Sequence, residues 1–152
     1  MKNILNLNDK KLIIDRVSTL TPDSKRIWGK MNTNQMICHC ADQIKLAEGK
    51  IDIKFVGNFF LTKIMKNLIL IGLPAPKGKV KTYRELDQLE NGTKPTAFEN
   101  DIKLLVDAIN NFDFEFPSKK NVLHPSFGNM SKKEWARLIY VHLDHHLRQF
   151  RA

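Results

Sequence analysis

Apolar residues recur at helical spacing along most of the chain, and capping signals punctuate the recurrences. Leu12, Ile13 and Val17 set the first stripe, predicting a helix over 8–20 capped by Asn8 or Asp9. Thr21 and Pro22 suit the cap and first position of a short helical restart that Gly29 would end. Asn32 with Gln35 forms a capping-box pattern, flanked by Met31 and Met36 as a hydrophobic staple. The helix it opens should run to about Glu48, stop at Gly49, and turn Met36, Cys40, Ile44 and Ala47 inward.

Residues 55–73 are the most apolar run, crossed by a narrow polar stripe at Lys54, Asn58, Thr62 and Lys66. Two mid-span lysines are costly in lipid, so no membrane span is expected. The pattern predicts a largely buried helix, or one covering a homodimer interface. Residues 74–95 read as a long connection, basic at Lys77, Lys79, Lys81 and Arg84. Such a connection is a solvated loop or a flap over an anionic ligand. Thr96 and Glu99 resemble a capping box opening a helix to about Asn110, with Ile102, Leu105, Val106 and Ile109 inside. Residues 112–117 alternate apolar and acidic, which suits a short extended piece, though one strand makes no sheet. Ser131 and Glu134 form a further capping box, with Met130 and Trp135 as its staple, opening the last helix. Four long helices, one long crossover and no convincing second strand describe an all-α helix bundle forming a single domain over 1–152.

Composition changes this picture little. A chain of 152 residues suits one core, and the +9 formal charge is spread rather than blocked. That charge attracts anions in general, but no motif or aromatic-basic interleaving points to specific nucleic-acid binding. Cys38 and Cys40 are too few for a disulfide framework and suit a reducing, cytoplasmic setting without a signal peptide. On a helix Cys38, His39 and Cys40 point about 100° apart, so they cannot converge on one ion. The two cysteines are expected as small core residues.

The chemistry concentrates in the last helix, where His142, His145 and His146 are three of five histidines. His142 and His146 stand one turn apart and can hold one ion between their rings. His145, at i+3 from His142, could take that place or bond in support. A third ligand must come from a facing helix, and His39, beside an apolar stripe, is the best candidate. Gln35, one turn before His39, could point into the same pocket. His124 could close over the site or anchor its own loop. Asp144 is expected on the polar face.

These strings carry a resemblance. A mid-bundle His39 followed by His142-x-x-His145-His146-x-x-Gln149 resembles the DinB-like superfamily of metal-binding four-helix bundles. Leu147 and Arg148 depart from that family's usual Arg-Gly. Met31-Asn32-x-x-Gln35-Met36-x-x-His39 and His124-Pro125-x-Phe127-Gly128-x-Met130-Ser131-x-x-Glu134-Trp135 resemble a branch known only as a domain of unknown function. The resemblance implies an up-down-down-up bundle and a divalent ion, zinc or nickel, on His39, His142 and His146. Gln35, His145, His124 and Gln149 would line or support the site. It also implies an enzyme, since characterised relatives are thiol transferases and a thiol-dependent isomerase. A low-molecular-weight thiol or water would then be activated against a small electrophile, and the basic connection suits an anionic one. The alternative is a non-catalytic, stress-associated metal-binding module that dimerises.

Overall fold

The computed structural model describes residues 1–73, 82–118 and 121–152, without the side chains of 59–61. Among them are five α-helices and one two-stranded hairpin. Helix α1 spans Leu7–Val17. Its cap is Asn6, upstream of the expected Asn8 or Asp9, whose backbone N–H groups donate to the Asn6 side chain. Residues 21–29 form turns and bends instead of the expected short helix. There the Ser24 hydroxyl accepts from the Thr21 N–H, a local bond that competes with helix.

Helix α2, Thr33–Ala47, forms as its sequence predicts, with both bonds of the Asn32–Gln35 capping box in place. Its end is a Schellman motif: Lys50 N–H donates to Lys45 C=O, Gly49 N–H to Leu46 C=O, and Gly49 takes φ +72°. Almost the whole of α2 is buried, because α4 and α5 pack on it.

Helix α3, Phe59–Leu70, corrects the expectation of a largely buried helix. Its polar residues Thr62 and Lys66 are half-buried, while Ile64, Met65 and Leu68 are exposed. Lys66 Nζ reaches Glu134 Oε1 of α5 at 2.8 Å and the Asn129 carbonyl at 3.4 Å. Thr62 and Lys66 therefore turn toward the protein together with Ile69 and Leu70, which pack on the core, while Ile64, Met65 and Leu68 face outward beside Lys63 and Asn67.

Part of the expected basic flap, Lys77, Lys79 and Lys81, lies outside the described residues. Arg84 opens a short 3-10 turn to Leu86 and pairs with Glu90. The segment after it is fastened by Asp42, a fully buried carboxylate on α2. Asp42 accepts from the Thr93 N–H at 2.8 Å, the Thr93 hydroxyl at 2.6 Å, Gln88 Nε2 at 3.1 Å and Lys45 Nζ at 3.1 Å.

Helix α4 spans Phe98–Glu115, starting one residue later and ending about five residues later than predicted. The Thr96–Glu99 box does not form. Thr96 gives its N–H and hydroxyl to Asp101, whose buried carboxylate outcompetes Glu99 for them. Phe112 is a fully buried helical core residue, not part of an extended piece. Strands β1, Val122–His124, and β2, Gly128–Met130, pair antiparallel with His124 opposite Gly128. This hairpin was not expected. Gly128 at φ +69° closes its three-residue loop, a geometry that favours glycine. Helix α5, Lys132–Gln149, starts from the predicted Ser131–Glu134 capping box. Helices α1, α2, α4 and α5 share one hydrophobic cluster that includes Ile13, Ile37, Ile44, Leu105, Ile109, Trp135 and Leu143.

Candidate metal centre

Helix α2 carries His39 and helix α5 carries His142 and His146, and the packing of the two brings all three rings together. Ring centroids lie 4.8 Å apart for His39–His142, 4.9 Å for His39–His146 and 4.5 Å for His142–His146. One nitrogen from each ring lies within 4.8 Å of the others, so the three could hold a metal ion. The one-turn spacing of His142 and His146 puts both on the face of α5 toward α2, as periodicity requires.

The hydrogen bonds at the back of the rings fix which nitrogens point inward. His39 Nδ1 donates to the Leu86 carbonyl at 2.9 Å, which leaves Nε2 as the ring's lone-pair atom. His146 Nδ1 donates to Gln149 Oε1 at 2.8 Å, with the same consequence. Gln149 is held in turn, its Nε2 donating to the Trp28 carbonyl at 2.6 Å. Gly29 leaves room for that amide, since a Cβ there would collide with Gln149 Nε2. His39 Nε2 and His142 Nε2 face each other at 3.0 Å. Two imidazole nitrogens on one tetrahedral zinc ion would stand roughly 3.3 Å apart, given Zn–N distances of about 2.05 Å. The donor set therefore fits a divalent ion. His142 Nδ1 is buried and finds no hydrogen-bond partner among the described residues.

Electrostatics keeps the cluster neutral. Burial pushes the His142 pKa well below the ordinary imidazole value, and His146 and His39 beside it push the same way. His146 is lowered by burial and then by His39, against the raising effect of its Gln149 bond. His39 is lowered by burial, opposed by its Leu86 bond and by Asp42 and Asp87. Neutral imidazole is the form that binds metal.

The remaining expected residues fall around or away from this centre. His145 packs edge-on to His146 at 5.1 Å and to Trp28 at 5.8 Å, outside the three-ring cluster. Gln35 spends its side-chain oxygen on the Asn32 N–H in the capping box. His124 is buried in the hairpin. Its Nδ1 accepts from the Ser126 and Phe127 N–H groups at 3.0 and 3.2 Å, and its ring stacks on Phe127. Asp144 pairs with Arg16 and Arg148, on the polar side of α5. The Leu86 and Trp28 carbonyls were not foreseen. A backbone acceptor carries no side-chain signature, so no sequence signal marks either one.

A mostly helical protein with a buried histidine triad able to hold a metal ion is the class that fold and site define. The chain belongs to the family described as "Protein of unknown function (DUF1569)", whose model matches residues 2–152. No curated protein and no solved structure matches it.

Proposed function

We propose that this protein binds one divalent metal ion through Nε2 of His39, His142 and His146, and uses it to activate a small nucleophile. The observation that carries this reading is the pair of back-side bonds, His39 to Leu86 and His146 to Gln149, which turn lone pairs toward one point shared with His142. Metal-ligating histidines are commonly oriented in this way.

Three neutral ligands leave a bound ion its full charge and an open position, the condition under which a thiol or water loses its proton near neutral pH. The likeness of the histidine strings to DinB-like proteins supports a four-helix bundle of α1, α2, α4 and α5, run up-down-down-up. It also supports zinc or nickel as the ion, while the chain length and the two cysteines support a single domain in a reducing, cytoplasmic setting. Thiol transfer to a small electrophile is the reaction we propose. Within it, the Leu86 carbonyl and Gln149 orient the rings, and neighbouring burial keeps them unprotonated.

The test combines elemental analysis of untagged protein with thiol-dependent turnover of small electrophiles. One equivalent of metal, and turnover lost in His142→Ala, is the expected result. Metal bound with no turnover would leave a non-catalytic metal-binding module. Metal absent from protein grown with zinc and nickel would end the proposal.

A further inference from the structure

Helix α3 leaves part of its apolar surface uncovered, since Ile69 and Leu70 pack on the core but other apolar side chains do not. Thr62 and Lys66 are half-buried against the body of the protein, whereas Ile64, Met65 and Ile71 are 57%, 45% and 62% exposed. Leu68 on the same helix and Phe55 and Val56 just before it are also exposed. Exposed apolar side chains grouped this closely along one segment are a candidate contact surface.

Charge identifies what the contact is with. Between Asp52 and Glu85 the chain has no acidic residue and seven basic ones. Lys66 and Arg84 are paired, with Glu134 and Glu90. Lys54, next to Phe55 in the chain, and Lys63, next to Ile64, are exposed. An apolar helix face with a lysine rim suits an interfacial helix on an anionic membrane, where both terms are favourable. The same rim disfavours a second copy, because two chains of formal charge +9 would bring like charges together.

A span is not an option for α3. Its 12 residues rise only about 18 Å, against roughly 30 Å of hydrocarbon. Among the described residues no helix is long and apolar enough to cross a membrane.

We propose that α3 docks this protein on the surface of anionic lipid bilayers, with Ile64, Met65, Leu68 and Ile71 entering the headgroup boundary and Lys54 and Lys63 meeting lipid phosphates. The docking is independent of the metal centre. Its test is co-sedimentation of the full chain with phosphatidylcholine vesicles and with vesicles containing about 30% phosphatidylglycerol. Binding is expected to the anionic vesicles only, and should weaken at about 0.5 M salt, where charges are screened within a few Å. The double variant Ile64→Ser/Leu68→Ser, both positions exposed, should keep its helical circular dichroism and lose at least about tenfold in binding. Lys63→Glu should lose binding independently. Binding to neither vesicle would overturn the proposal, as would anionic binding that the double variant retains. A concentration-dependent dimer that the double variant abolishes, without lipid binding, would overturn it in favour of a second copy.

Discussion

Replacing His124 with Asn should flatten the acid side of the stability curve. Burial pushes the His124 pKa down to about 3 from an ordinary 6.5. Its Nδ1 already accepts two backbone N–H groups, so a proton there would break both bonds. The folded state therefore holds the ring neutral, while the unfolded chain takes up a proton below about pH 6.5. A lowered pKa of this kind leaves stability intact above 6.5 and removes it as pH falls from 6.5 toward 3. Each pH unit in that window removes about 1.4 kcal/mol, so the loss reaches roughly 2 kcal/mol by pH 5. An Asn oxygen can accept the same two N–H groups but does not titrate. His124→Asn also gives up the ring contacts with Phe127 at 4.3 Å and Trp135 at 5.1 Å. At pH 7 the variant should therefore be less stable by about 1–3 kcal/mol. At pH 5 the gap between variant and parent should shrink by about 2 kcal/mol. Urea unfolding of both proteins at pH 7, 6 and 5, with chelator present, measures this directly. A gap that does not change with pH would refute the reasoning.

Other consequences follow from the buried polar groups. Gln149→Leu removes the acceptor that fixes His146 and should weaken metal binding about 10- to 100-fold in chelator competition, with little change in helical content. Asp42→Ala would strand Gln88, Thr93 and Lys45 and should cost about 3–5 kcal/mol in urea unfolding. The Cys38 thiol is pushed up to about 12 by burial and then by Asp101 and Asp42, and Cys40 is raised by burial, Cys38 and Asp42. Both should resist iodoacetamide in the native protein at pH 8 and react promptly once it is unfolded.

How much of this was legible in the sequence depended on how local each cause was. The α2 and α5 boundaries were readable because a capping box is closed by residues three apart, and both boxes form. The pairing of His142 with His146 was readable because helical spacing selects a face before any tertiary contact is known, whereas His39 was reached through its place beside an apolar stripe and through the family resemblance. The α4 start was misjudged because Asp101, five residues away, draws the Thr96 donors. Of the two expectations for α3, the largely buried helix failed for a longer-range reason. Glu134 and Asn129 offer Lys66 partners on the inner side, so Lys66 turns inward and takes a place an apolar side chain could have filled. The hairpin escaped notice because its strands are three residues each, too short for alternation to show. The Leu86 carbonyl that orients His39 could only be found once the fold had brought it there.

The measurement that bears most directly on the metal centre is calorimetric titration of tag-free, metal-stripped protein with zinc and with nickel, beside His39→Ala. One ion per wild-type chain, with affinity falling at least about 100-fold when the imidazole from α2 is removed, is the predicted result. Equal affinity in the two proteins, or no saturable binding in the wild type, would contradict it.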